Sequence, residues 1–315
     1  NYGTHRLDVK LDGLSIKSES QTFHANEKFG NYQIDVWRYN AVGETHAHNN
    51  LITISTEFAG NRANSSFHDW FWILNTPPDP SLDLMLYIGA SDPNWFHFAG
   101  GTLAEKSLRT FEYFTNRPRS DIKKIVDWGC GCARVSRHYF DLCNAQIIGL
   151  DIDEKMINWC KSELPDGQWI TSSPHPPSHL PDNSADLIIG HSVFTHLDEF
   201  TQFQWLKELA RLVKPDGLAM VTVLGVYGAL LEPPLTVEEE ETLQENGFLE
   251  PNIEKIETNK QIILSESDKE YRTYHKGVFH MPDYIVSQWS NFFEIIAIIE
   301  GFADHQALVV LKKKD

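Results

Sequence analysis

Ile125-Val126-Asp127-Trp128-Gly129-Cys130-Gly131-Cys132-Ala133 decides how this chain reads. A short apolar strand closes on an acid, two glycines one residue apart follow, and 133–142 then carries a helical pattern. Glycine has no Cβ, so the chain can turn sharply there and lay bare backbone against a ligand, with the amides of the helix start facing the same way. The stretch predicts a nucleotide-binding turn between a strand and a helix.

The dinucleotide fingerprint G-x-G-x-x-G requires a third glycine three residues after the second, and Arg134 stands at that position. NAD is therefore a poor match. Asp127 instead pairs with a second acid, Asp151, which ends the next predicted strand, 146–151, and whose carboxylate can take both hydroxyls of a ribose. On these residues, and on Asp186-Leu187-Ile188-Ile189-Gly190-His191-Ser192-Val193-Phe194-Thr195-His196-Leu197 and 206–220, the chain resembles the class I S-adenosylmethionine-dependent methyltransferases from about Pro77 to its C-terminus. Ala133 replaces the family's usual third glycine.

That resemblance implies an α/β, Rossmann-like sheet, mostly parallel, closed by a C-terminal antiparallel hairpin. The cofactor it implies is S-adenosyl-L-methionine. Asp127, Gly129, Cys130 and Gly131 would surround its methionine moiety, Asp151 its ribose and Ile152 its adenine, with His191 flanking the site. The segment before the first parallel strand would form part of the acceptor entrance, which makes Phe96, Gly100 and Gly101 candidate contacts.

The rest of the chain agrees with such a domain. Strand and helix patterns alternate through 124–127, 133–142, 146–151, 154–163, 168–171, 185–190, 200–213 and 217–224, the order expected of a parallel sheet covered on both faces. Lys214-Pro215-Asp216-Gly217 reads as a helix stop and turn, and 293–299 with 307–311 as the closing hairpin. Residues 1–76 instead alternate polar and apolar side chains in short runs such as Leu7-Asp8-Val9-Lys10-Leu11, which predicts antiparallel strands in a separate β-rich module. That module reads as a structural extension, with sugar binding or homo-oligomer formation as alternatives. Pro77-Pro78-Asp79-Pro80 marks the boundary to the domain at 77–315, and 225–279, long for a simple connection, reads as a cap over the acceptor.

Charge and composition narrow the partners. A chain of 315 residues, 41% hydrophobic, can bury a full core, and a formal net charge of −17 argues against nucleic acid as substrate. No run is long and apolar enough for a membrane span. Cys130, Cys132, Cys143 and Cys160 read as packed thiols in a reducing compartment, the cytoplasm; their spacing lacks the second pair of a zinc site, so no metal is expected. Because the chain opens at Asn1, it can also be part of a larger polypeptide.

Methyl transfer from a sulfonium is an in-line displacement, so the protein positions the acceptor and removes its proton. His196 is the preferred base, with His191 and, in the cap, His275 and His280 as alternatives; Tyr271, Tyr274 and His280 are candidate acceptor contacts. The segment from Pro77 and the ending 304–311 resemble a bacterial methyltransferase group associated with glycans and small metabolites, which implies a hydroxyl of a saccharide or small molecule as acceptor. A methyltransferase-like binding or scaffold domain without turnover is the other reading.

Overall fold

In a computed structural model, the described residues are six strand backbones between 5 and 71, together with 78–90, 93–231, 235–251 and 277–314. The first strands are β1 (His5–Leu11), β2 (Leu14–Ser15), β3 (Phe23–Phe29), β4 (Tyr32–Arg38), β5 (Asn50–Phe58) and β6 (Ser65–Phe71). All their pairings are antiparallel, in a four-stranded sheet of order β2-β1-β5-β6 and a β3–β4 hairpin.

The second unit begins with helices α1 (Leu82–Tyr87) and α2 (Pro93–Thr115). Then come β7 (Lys124–Trp128), α3 (Ser136–Leu142), β8 (Gln146–Asp151), α4 (Glu154–Glu163), β9 (Gln168–Thr171), β10 (Ala185–Gly190), α5 (Glu199–Leu212) and β11 (Val213–Val223). An insertion holds α6 (Val226–Leu231), α7 (Val237–Asn246), β12 (Phe248–Leu249) and β13 (Phe279–His280), and β14 (Phe293–Ala303) and β15 (Gln306–Lys313) end the chain. The seven-stranded sheet runs β14-β15-β11-β10-β7-β8-β9, with β7 to β11 parallel and the β14–β15 hairpin antiparallel. Chain order reverses beside β7, whose neighbours are β8 and β10, so the ligand crevice of an open α/β sheet falls at the carboxyl ends of those strands.

Period-two alternation fixes both faces of the sheet. Ile125, Ile147, Leu187, Ile189 and Met220 bury against Leu103, Ala104, Leu108 and Phe111 of α2 and against Tyr139 of α3. Val126, Ile148, Leu150, Ile188 and Val221 bury on the other side against Trp205, Leu206 and Leu209 of α5 and against Trp289 and Phe293.

Beyond shifts of a residue or a few at strand and helix ends, two boundaries differ from the sequence reading. α3 starts at Ser136 rather than 133, because Gly131 and Ala133 take positive φ (54° and 58°) and prolong the turn. α2 holds the Gly100-Gly101 pair in its interior, packing having overridden the weak helix propensity of glycine. β11 pairs from Val213: Val213 lies opposite Ala185 and Leu218 opposite Leu187, so the predicted turn at 214–217 is a bulge within the strand. Lys214 Nζ meets Asp186 Oδ1 at 2.7 Å, and Asp186 Oδ2 accepts the Lys123 and Lys124 amides at 3.0 and 2.9 Å, which pins that bulge to the start of β7.

Candidate functional site

The turn after β7 is built from the conformations its residues can adopt. Gly129, Gly131 and Ala133 all have positive φ, 74°, 54° and 58°, and the Gly129 and Cys130 amides donate to Leu150 O at 2.8 and 3.1 Å. Glycine takes this left-handed region freely, whereas a Cβ costs about 1–2 kcal/mol, so Ala133 carries strain that Gly129 and Gly131 do not. A Cβ on Gly129 would also stand 2.3 Å from Val193 Cγ2. The close approach of the loop after β10 thus excludes any side chain at 129.

Two acids meet at this turn. Asp127 is buried and accepts the Ser136 hydroxyl from the first residue of α3; burial, with the nearby Asp151 charge adding to it, raises its pKa to about 6. Asp151 accepts the Gly131 amide at 2.7 Å and the Asp153 amide at 2.8 Å, and burial raises its pKa too. Each Asp151 oxygen keeps lone-pair capacity beyond those amides. Ile152 is half-buried beside it. The Cys130 and Cys160 thiols both donate to Gly131 O at 3.6 Å, and burial pushes both pKa values up, so they behave as packing groups. Among the described residues no group of three or more His, Cys, Asp or Glu is placed to hold a metal.

Across the crevice, the loop after β10 carries His191 and His196. His191 is buried, and neither ring nitrogen has a partner among the described residues. Its ring lies parallel to Phe302, 6.5 Å away, and burial, with the Arg134 charge, lowers its pKa to about 3, leaving it neutral. Ser192 follows at φ 59°, held there by an amide bond to Thr222 Oγ1 at 2.7 Å while Gln306 Nε2 donates to its hydroxyl at 2.9 Å. His196 ends the short helical turn Phe194–His196 and is half-buried.

The remaining predicted contacts fall elsewhere. Phe96 is fully buried, packed with Met85, Ala90 and Cys132 under the Arg137 guanidinium at 5.4 Å, so it belongs to the core rather than to an acceptor surface; Trp95 and Phe98 are the exposed rings of that turn. Gly100 packs on the protein itself, where an added Cβ would lie 2.0 Å from Arg134 O. His280 is likewise fully buried and faces Gln202 Oε1 at 2.9 Å. Gln202 Nε2 donates to Phe194 O and Leu197 O at 3.2 and 2.8 Å, which leaves its oxygen to accept, so His280 holds its proton on Nε2 and braces the 194–197 turn instead of touching an acceptor. Tyr271, Tyr274 and His275 lie outside the described residues.

The chemistry of these groups suits the predicted cofactor. Two carboxylates with raised pKa values, Asp127 buried and Asp151 half-buried, favour a ligand that brings positive charge, such as an ammonium and a sulfonium, and disfavour a pyrophosphate. Residues 126–221, from β7 to β11, match the model of a methyltransferase domain family. Over that stretch the chain is similar to a methyltransferase domain. Trans-aconitate 2-methyltransferases from Escherichia coli strains are similar to it, 26% identical over 153 residues, 48% of this chain and 56% of theirs. The chain therefore spans about half the length of the curated relatives it matches. Among solved structures, the glycopeptide N-methyltransferase MtfA complexed with sinefungin aligns at TM-score 0.46 and 14% identity, over 69% of this chain and 87% of its own. A Mesorhizobium loti S-adenosylmethionine-dependent methyltransferase aligns at TM-score 0.47 and 15% identity, over 68% and 100%.

Proposed function

We propose that this chain is an enzyme that transfers a methyl group from S-adenosylmethionine to an oxygen of a small molecule or saccharide. The observation that carries the reading is the turn of three left-handed residues, Gly129, Gly131 and Ala133, set between the buried Asp127 and the half-buried Asp151 at the carboxyl ends of β7 and β8. A small acceptor also accords with the trans-aconitate methyltransferases among the relatives, and a hydroxyl acceptor with the histidines placed after β10.

In this reading the bound cofactor supplies an electrophilic methyl group. Asp151 accepts from the ribose hydroxyls with the lone pairs its two amides leave open, and Ile152 lies against the adenine. The Gly129 and Gly131 backbones border the methionine moiety beside Asp127 and Cys130. His196, half-buried on its turn, takes the acceptor proton, and His191 helps keep water from the reacting atoms. The described part of 225–279 closes the acceptor side, anchored by a buried cluster of Leu224, Val226, Leu243, Leu249, Phe279 and Met281. The boundary at 77 and the cytoplasmic setting belong to the same reading.

Calorimetric titration with S-adenosylmethionine, S-adenosylhomocysteine and NAD tests the cofactor half: micromolar binding of the first two and none of NAD is expected. Asp151→Ala should weaken that binding by about 1.5–3 kcal/mol, the worth of hydrogen bonds to a charged group. His196→Ala should lower kcat by roughly 10²–10⁴ on a turned-over hydroxyl acceptor while leaving cofactor affinity unchanged. Equal affinity in Asp151→Ala removes the ribose assignment, and unchanged kcat in His196→Ala removes the base.

A further inference from the structure

Ser192, Thr222 and Gln306 come from three strands that meet at one edge of the sheet: the loop after β10, the end of β11 and the first residue of β15. Thr222 is fully buried, whereas Ser192 and Gln306 are partly exposed, so the group has an inner and an outer end. Its hydrogens can be assigned one by one. Thr222 Oγ1 accepts the Ser192 amide at 2.7 Å, and its own hydrogen goes to Gln306 Oε1 at 2.6 Å. That turns Gln306 Nε2 toward Ser192 Oγ, 2.9 Å away, and the Ser192 hydroxyl closes the ring onto Gln306 Oε1 at 3.1 Å. An amide nitrogen carries two hydrogens and a hydroxyl oxygen two lone pairs. One Nε2–H of Gln306 and one lone pair of Ser192 Oγ therefore remain unused among the described residues, on atoms 2.9 Å apart at the outer end. Ser192 also holds a left-handed φ of 59° without being glycine, and strain of this kind collects where a side chain has to be aimed.

We infer that Ser192 and Gln306 form a binding site for two neighbouring hydroxyls of a polyol or saccharide acceptor, one accepting from Gln306 Nε2 and the other donating to Ser192 Oγ. A donor beside an acceptor suits a diol, because each hydroxyl both gives and takes a hydrogen; a carboxylate only accepts and would leave the Ser192 lone pair facing another. The cofactor's ribose is a diol as well, but Asp151, assigned to it, ends β8, and β7 separates β8 from β10 in the sheet. The diol read by Ser192 and Gln306 thus belongs to a second molecule. The inference deepens the methyltransferase reading and rests on it.

The test uses the full chain, as wild type and as the variants Gln306→Glu and Ser192→Gly. Gln306→Glu keeps one oxygen for Thr222 and another for the Ser192 hydroxyl but has no N–H to offer. Ser192→Gly keeps the amide bond to Thr222 and suits the left-handed φ while losing the hydroxyl. Thermal melts show that both have folded. Methyl glycosides of glucose, galactose, mannose and rhamnose, and trans-aconitate, are each titrated into protein saturated with S-adenosylhomocysteine. At least one glycoside binds the wild type, and each variant weakens it about tenfold, the effect of one lost hydrogen bond whose partner is left unpaired, with S-adenosylhomocysteine affinity unchanged. A wild type that binds S-adenosylhomocysteine but no glycoside, or trans-aconitate in their place, overturns the diol site, and so does equal glycoside binding by all three chains. A wild type that does not bind S-adenosylhomocysteine sinks the methyltransferase reading instead, and the glycosides titrated into the free protein then read the diol site by the same loss in the two variants.

Discussion

Asp127 is the residue whose environment does most to shape the site, since the fold buries it beside another acid with a Ser136 hydroxyl to stabilise its charge. Raised from 3.8 to about 6, it binds its proton more tightly folded than unfolded, so its contribution favours the fold below pH 4 and is lost as pH rises through 6. Asp127→Asn should accordingly gain stability over wild type at pH 8, up to about 3 kcal/mol, with no gain at pH 4, while cofactor affinity falls. Urea unfolding at the two pH values decides it: an equal gain at both would place the cause elsewhere. Ala133→Gly should stabilise by about 1 kcal/mol, visible as a higher Tm, because its φ of 58° suits glycine. The sharp turn at Gly129 and Gly131 was legible because a left-handed backbone is favoured by the residue type at the position itself. Ser136, Ser192, Gln202 and Gln306 were not, because what they do depends on partners brought by folding: Gln306 reaches Ser192 from 114 positions away.

At the scale of elements, the junction between α2 and the cofactor turn gives the sharpest contrast. Gly100→Ala would drive a Cβ to 2.0 Å from a backbone oxygen, which cannot rotate away, so α2 must lift; a loss of about 2–3 kcal/mol is expected, with weaker cofactor binding. Gly101→Ala meets the His138 ring at 3.5 Å, ordinary contact, and gains helix propensity, so it should be neutral or stabilising by up to about 1 kcal/mol. Thermal melts of the two variants check this, and similar losses in both would mean that helix propensity had been misjudged. Strands 146–151, 168–171 and 185–190 and the helix 154–163 coincide with their predicted ends, because apolar period and an Asp153 cap mark them locally. The start of α3 and the beginning of β11 were hidden in sequence. One depends on a left-handed alanine and the other on the Asp186 clamp, and neither leaves a periodic trace.

Across the whole molecule, His138, His191 and His280 are all buried, with pKa values lowered to about 3 by burial. Each stays neutral when folded and takes a proton near pH 6.5 when unfolded, so the stability each lends is present above 6.5 and lost as pH falls toward 3. Together they should cost about 4 kcal/mol per pH unit below 6, opposed in part by Asp127. Unfolding free energies at pH 7, 6 and 5 would show this, and a flat profile would mean that the rings are hydrated. The parallel sheet and its closing hairpin were readable as a sequence of patterns, whereas the joining of the insertion to that sheet was not. Leu224 O accepts the His280 amide at 2.8 Å, Thr195 O accepts the Val278 amide at 2.8 Å, and Leu249 pairs with Phe279. The insertion thus leaves and re-enters the scaffold at one place. For a segment whose ends are already joined, doubling its length costs only about 0.6 kcal/mol of closure entropy. Because β12 and β13 tie the two described ends of the insertion together, a change of chain length between them falls on that pair rather than on the seven-stranded sheet.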